Sequence, residues 1–317
     1  MPVLLPRSPV DPNGTSVLER KASDEFKAKL KLIRAGAMAI FEQIPRSSFY
    51  LNAGGISSPR TYRYAIDETR LEIMNSELAA LVDSVLLKGG RMGLWFFETY
   101  VRPSYTRGTA VSYSNISVQS AEYLASRGEF ASLVSSAPFR RRIGLIRARM
   151  FEEMQGFASD VSRKTLSRVL TEGMVAGQNP LKIADQITKG LGTDYGRAKR
   201  IARTEINQAL RTARMDETED AKVSLGLNFK LLHFSALSPT TRDDHAERHG
   251  LMYTIQEERD FFASGANSIN CKCSTVEILL KKDGTPYDKN ILGKMALARE
   301  KFFKIRMELA QEKKKGL

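Results

Sequence analysis

Apolar residues recur every three or four positions along much of this 317-residue chain, the spacing that lines one face of an α-helix. Phe26, Leu30, Ile33, Ala37, Ile40 and Phe41 predict a first helix that ends before Pro45. Leu71, Met74, Leu78, Leu81, Val82 and Val85 predict a second, stopped at Gly89-Gly90. Further helices are expected near 116–127 and 137–157. The next carries Leu166, Val169, Leu170 and Met174 and ends at Gly177. Asn179-Pro180 supplies an N-cap and first turn for a helix bearing Ile183, Ala184, Ile187 and Leu191, which Gly190 and Gly192 should close. Thr193 then opens a long helix with Ala198, Ala202, Ile206, Ala209 and Ala213 on one face. A stripe of alanines implies close approach to a neighbouring helix.

After Gly226 the period shortens. Asn228–Phe234 and Ser274–Leu280 suit strands, separated by a polar loop through Ser238-Pro239 and by a short helix. Thr254-x-x-Glu257 is a capping box that opens that helix, which runs through Phe261 and Phe262. Asp283-Gly284 marks a turn, and a basic amphipathic helix is expected from about 293 to the end. Ser, Gly and Tyr crowd residues 46–65, which read as a long loop, and Pro2, Pro6, Pro9, Pro12 and Gly14 make the N-terminus an extended arm. The expected fold is α+β and predominantly helical. It divides into an arm over 1–22, a helical docking region over 23–158, a small α+β domain over 159–280, and a basic C-terminal helix over 281–317.

Charge changes the picture. Forty-nine Lys and Arg against 36 Asp and Glu leave a formal net charge of +13, which favours partners dense in negative charge. Arg140, Arg141, Arg142, Arg147 and Arg149 form one cluster beside the apolar Ile143, Ile146 and Met150, and Lys313, Lys314 and Lys315 another; both are candidate DNA contacts. Trp95, Phe96, Phe97, Tyr100, Tyr105 and Tyr113 alternate with Arg91, Arg102 and Arg107. Such interleaving can stack on single-stranded nucleic acid, but more often it marks a core edge with snorkelling arginines. The two cysteines stand one residue apart, too close for an unstrained disulfide, so a reduced cytoplasmic origin is expected. Met1–Pro9 lacks the apolar run of a signal peptide, and no stretch approaches the roughly 20 apolar residues of a membrane span.

Three short segments stand out in order: Arg197–Glu205, reading R-A-K-R-I-A-R-T-E; Thr241-Arg242-Asp243-Asp244-His245 with Gly250 five residues on; and Asn270-Cys271-Lys272-Cys273. In this order they resemble the phage Mu gene F–like family of minor head, or head morphogenesis, proteins. That family's pattern is a helical preamble to I-A-R-T-E, a strand, T-R-x-x-H-x-x-x-x-G, and N-C-x-C. Matching positions are Arg203, Thr204, Glu205, Thr241, Arg242, His245, Gly250, Asn270, Cys271 and Cys273, within roughly residues 160–280. The chain departs from the pattern where a tryptophan usually stands on the strand, offering His233 or Phe234. It also has Ser238-Pro239 where acidic residues are common, and lacks the Pro and second His that often precede N-C-x-C. No metal or catalytic site is therefore carried over with the resemblance.

The residues themselves suggest limited chemistry. His245 and His249, four apart, would share a helix face, and with Cys271 and Cys273 they make a candidate tetrahedral zinc set. A metal-free, hydrogen-bonded small core is the competing reading. His245-Ala246-Glu247 matches half of the zinc deaminase signature, but Asn270–Cys273 has neither the proline nor the spacing of the other half. An HNH-type nuclease would need its histidines on a ββα hairpin rather than before a capped helix. Glu205 falls near the buried edge of the alanine stripe and calls for a cation, for which Arg242 is the candidate.

The resemblance implies a structural virion protein, not an enzyme, with no cofactor required. It would be assembled in the host bacterial cytoplasm, sit at the portal vertex or capsid interior, and support head morphogenesis and genome packaging or delivery. Portal or major capsid protein and packaged double-stranded DNA are the expected partners, and no membrane. The alternatives are a metal-dependent, HNH-like phage nuclease and a free-standing nucleic-acid-binding protein.

Overall fold

The computed structural model describes residues 3–50, 60–287 and 290–315. In chain order the first elements are α1 (Ser16–Glu42), β1 (Arg46–Tyr50), β2 (Arg60–Tyr64), α2 (Glu68–Leu86) and α3 (Gly90–Gly93). A π-helical segment (Phe97–Val101) leads into α4 (Arg102–Gln119), followed by α5 (Ala121–Arg127), α6 (Phe130–Val134) and α7 (Ala137–Asp160). A second π-helical segment (Val161–Ser167) precedes α8 (Arg168–Val175) and α9 (Pro180–Leu225). The remainder is β3 (Phe229–Phe234), α10 (Asp243–Glu247), β4 (Met252–Tyr253), α11 (Ile255–Ala263), β5 (Ser274–Leu279) and α12 (Asn290–Lys315). The fold is α+β and predominantly helical, as the periodicity predicts. Among the described residues no helix is long and apolar enough to cross a membrane.

The chain forms two compact units built from non-contiguous segments. One comprises Arg20–Thr99 and Arg142–Lys199. Here α1 buries Phe26, Leu30, Ile33, Ala37 and Phe41, and α2, capped by Asp67 accepting from the Arg70 N–H, buries Met74, Leu78, Val82 and Leu86. Phe26 packs against Trp95, Phe96 and Phe157 with ring centroids 5.0, 5.2 and 6.1 Å apart. The Trp95 indole N–H donates to the Leu86 carbonyl. Phe96 and Phe97 are fully buried, and Arg147 lies over Phe97, so this part of the aromatic stretch is core with covering arginines and no stacking platform. Each such ring contributes about 1.5–3 kcal/mol through burial.

The stretch expected to be a loop over 46–65 contains instead a two-stranded antiparallel ladder, β1 on β2, with Ser48 opposite Tyr62. Cross-strand contacts stabilise it: Arg60 donates to the Ser48 hydroxyl, and Arg63 lies over Phe49. Residues 51–59 of that loop lie outside the described residues. The expected break at Gly190 and Gly192 is also absent, because α9 runs unbroken for 46 residues. Ile183, Ile187, Leu191, Ala198, Ala202, Ile206, Ala209 and Ala213 form one continuous buried stripe. Burying that stripe outweighs the penalty of about 1 kcal/mol for each helical glycine.

The other unit gathers the N-terminal segment through Glu19, Tyr100–Arg141 and the chain from Arg200 onward. The N-terminal arm is shorter than expected: Asp11 accepts from the N–H groups of Thr15 and Ser16, and α1 begins at Ser16. A three-stranded antiparallel sheet, ordered β4-β3-β5, forms the centre. Alternation along β3 and β5 divides their side chains between two buried faces. Leu232, Phe234, Val276 and Ile278 pack with Ile291, Leu292 and Met295 of α12. On the opposite face Phe229 and Leu279 pack with Ile116 and Ala221, and Leu231 with Met215 and Ile255. The alanine stripe of α9 does bring a helix close, since a Cβ on Gly108 of α4 would lie 2.3 Å from the Leu210 carbonyl oxygen.

Candidate functional site

Strand alternation aims His233 at the same face as Leu231, where α11 covers it. The capping box of Thr254 and Glu257 fixes the start of α11, and its buried positions Ile255, Glu258 and Phe262 follow at three- and four-residue spacing. Glu258 is thereby carried beneath His233, whose Nδ1 lies 3.1 Å from both carboxylate oxygens. Arg248 reaches the same carboxylate at 3.0 Å while stacking on Tyr253 and Phe261. Burial alone would raise the Glu258 carboxyl, but His233 and then Arg248 hold it below its ordinary value.

His245, on the single turn of α10, presents Nδ1 to both thiols: 3.3 Å from Cys273 Sγ and 3.4 Å from Cys271 Sγ. The Cys273 N–H points at Cys271 Sγ, 3.3 Å away. Donor atoms of His233, His245 and Cys273 all lie within 4.8 Å of one another. A hydrogen bond from Cys273 holds the Cys271 thiol well below its usual range, aided by Arg211 and His245 against the effect of burial. That same bond, with burial, pushes Cys273 well above. All four side chains belong to residues no more than 5% exposed, which closes them to a large substrate.

His249 does not join this cluster, because α10 ends at Glu247 and the i, i+4 relation to His245 no longer applies. Its Nδ1 lies 3.1 Å from both the N–H and the carbonyl oxygen of Ser235, and its ring rests on Phe234. Burial, then His233, lowers its pKa to about 4. His233 takes its place in the cluster. The chain has three histidines, and period-two reading of β3 from Leu231 is the signal that could have pointed His233 inward.

The three motif segments meet as a polar framework around this cluster. Asn270, at φ 56°, turns the loop; its N–H donates to Thr204 Oγ1 at 2.9 Å and its amide oxygen accepts from Arg203. Arg203 also pairs with Glu19, which accepts in turn from Thr15 and Asn207. Arg211 lies over Phe262 and donates to the carbonyls of Cys271 and Cys273, while Asn13 donates to those of Lys272 and Cys273. Arg242 does not face Glu205 as expected. Both of its amino groups go to the carbonyls of Ala266 and Asn267, bracing the segment before Asn270, and Glu205 is buried. Thr241 Oγ1 accepts from the Ser238 N–H and closes the turn into α10. Gly250, at φ 78°, returns the chain to β3 by donating to the His233 carbonyl, and a Cβ there would lie 2.4 Å from that of Met295. Asn13, Glu19, Asn207, Arg211 and Glu258 carry no motif, and only the fold brings them here.

Of the candidate DNA contacts, α7 carries five. Arg140, Arg141 and Arg149 are exposed on α7, and Arg142 and Arg147 half-buried, with Arg147 donating to the Met92 carbonyl. The side chains of Lys313, Lys314 and Lys315 lie outside the described residues.

Residues 164–276 match the family described as Phage Mu protein F like protein, a range that contains all three motif segments. The minor head protein GP7 of Bacillus phage SPP1 is 20% identical over 277 residues, covering 82% of this chain and 82% of that protein. No solved structure matches the chain. Through residues 164–276, in which the motifs form one hydrogen-bonded framework, the chain is similar to the phage Mu protein F–like family.

Proposed function

We propose that this chain is a minor head protein of a tailed bacteriophage, built into the head during morphogenesis and acting there by docking rather than by catalysis. The observation that carries this reading is the likeness to a named minor head protein across 82% of both chains, reaching well beyond the matched family segment. The buried framework supports a structural role. Glu205, His245, Cys271 and Cys273 of the motifs are buried, and Arg203, Thr204 and Asn270 tie the 270–273 loop to α9.

Within that reading, the protein docks on portal or major capsid protein at the portal vertex or capsid interior and supports genome packaging or delivery. The net charge of +13 and the exposed arginines of α7 support contact with packaged double-stranded DNA through its phosphates, which needs positive charge and no base readout. Quantifying the protein in purified procapsids and virions, and by co-purification with portal and with major capsid protein, tests the proposal. Absence from both particles would overturn it, and divalent-ion-dependent DNA cleavage lost in His245→Ala would favour the nuclease alternative.

A further inference from the structure

We propose that the buried cluster is a structural zinc site, held by Nε2 of His233, Nδ1 of His245 and the thiolates of Cys271 and Cys273. The donor set is the one zinc favours when it staples a small domain, two imidazole nitrogens and two sulfurs.

Geometry supports the set in three ways. Bond lengths of about 2.0–2.1 Å to nitrogen and about 2.3 Å to sulfur put the N···S edge of a zinc tetrahedron at about 3.6 Å. The two edges from His245 Nδ1 measure 3.3 and 3.4 Å, so both thiols already face one nitrogen at nearly that separation. His233 adds a third corner, since donor atoms of His233, His245 and Cys273 lie within 4.8 Å of one another, while Cys271 stands outside that group and reaches the site beside His245. The tight C-x-C spacing is accommodated by the left-handed turn at Asn270, after which 271–273 run outside the strand, free of its alternation.

The surroundings argue for a metal more than for a bare polar core. Glu258, itself buried, lies against His233 Nδ1 at 3.1 Å, a placement that would hold the proton of a neutral ring there and turn Nε2 toward the metal. That Nε2 has no hydrogen-bond partner among the described residues, and the ring is fully buried. A buried imidazole nitrogen without a partner costs stability, and a ligated one does not. Zinc with two thiolates carries no net charge, so the ion would be buried without an uncompensated charge; the two thiol protons leave to solvent on binding. Arg211, Asn13, Arg203 and Thr204 hold the loop carrying both cysteines, so its backbone is set in place without the metal's help. The site would staple together β3, the turn bearing α10 and the 270–273 loop, the last two of which carry the second and third sequence motifs.

The test uses the full chain, purified without added chelator, then stripped and refolded with Zn²⁺ or Co²⁺ alone. Metal analysis should find one zinc per chain, and the Co²⁺ form should show the intense visible bands and thiolate charge transfer of tetrahedral sulfur ligation. His249→Ala should retain both signals, His233→Ala and Cys273→Ser should lose them, and Glu258→Gln should bind zinc about 10–100-fold more weakly. A folded wild-type chain that takes up neither ion overturns the proposal, and that readout needs no variant to fold. Loss of metal in His249→Ala with retention in His233→Ala would overturn the ligand set.

Discussion

Arg214 of α9 and Glu277 of β5 form a doubly hydrogen-bonded ion pair, Nε to Oε1 at 2.8 Å and Nη2 to Oε2 at 2.6 Å, with side chains 3% and 0% exposed. Asn115 of α4 completes the carboxylate at 2.7 Å, so one buried charge ties helix, helix and sheet. Removing one partner strands the other charge. Arg214→Ala should cost about 3–5 kcal/mol in denaturant unfolding, whereas Arg214→Met with Glu277→Leu should cost far less. Equal losses in the single and double variants would show that shape, not charge, sets the cost.

The same pair sets a pH dependence. Burial would raise the Glu277 carboxyl, but Arg214 first and then Asn115 hold it below its ordinary value. A depressed folded pKa adds stability that is fully present above the unfolded value, about 4.3, and is lost as pH falls through the lower folded value. Unfolding free energy measured from pH 6 downward should therefore fall more steeply in the wild type than in the Arg214→Met, Glu277→Leu double variant. Parallel profiles would remove Glu277 as a source of acid lability.

Periodicity and caps made much of this fold legible. The apolar stripe of α1, the alternation of β3 and β5 and the capping box of α11 each follow from local rules, although α1 starts at Ser16, inside the stretch expected to be an extended arm. What stayed hidden depends on partners distant in sequence. Arg46–Tyr50 is polar and mostly exposed, and only its ladder with β2 makes it a strand. His245 and His249 part for a local reason, because a helix of five residues cannot carry both on one face. Glu258 could not be read at all as the partner of His233, since nothing between them in sequence announces the contact.

Glycines separate the tight helix contact from open surface. A Cβ added to Gly108 would meet the Leu210 carbonyl oxygen at 2.3 Å, and that backbone atom cannot swing aside. Gly108→Ala should destabilise by about 1–3 kcal/mol through forced separation of α4 and α9. Gly144, helical and with nothing within 4 Å of its Cβ position, should behave oppositely. Gly144→Ala should gain about 0.5–1 kcal/mol from helix propensity alone. Thermal melts of the two variants give opposite signs, and a neutral Gly108→Ala would refute the close approach.

Arg203 joins the first motif to the third by bonding Glu19 at 2.8 Å and Asn270 at 2.9 Å. Arg203→Ala should cost about 1–3 kcal/mol, because the Glu19 carboxylate is only 7% exposed and loses the Arg203 guanidinium. The effect should be local. Amide hydrogen exchange should quicken at 270–273, where the anchoring bond to Asn270 is lost, and stay unchanged in the aromatic core around Phe26. Uniform acceleration across the chain would mean that Arg203 supports the fold as a whole and does not specifically hold the loop.

The exposed arginines of α7 give the DNA proposal a quantitative test. Neutralising one phosphate per arginine contributes about 0.9 to the slope of log affinity against log salt for duplex DNA. Arg140→Ala with Arg141→Ala, both exposed, should therefore lower that slope by roughly two while leaving the melting curve unchanged. The loss should be the same for duplexes of unrelated sequence, since phosphate contacts carry no base information. An unchanged slope would take this end of α7 out of the interface, and a loss confined to one sequence would point to base recognition instead.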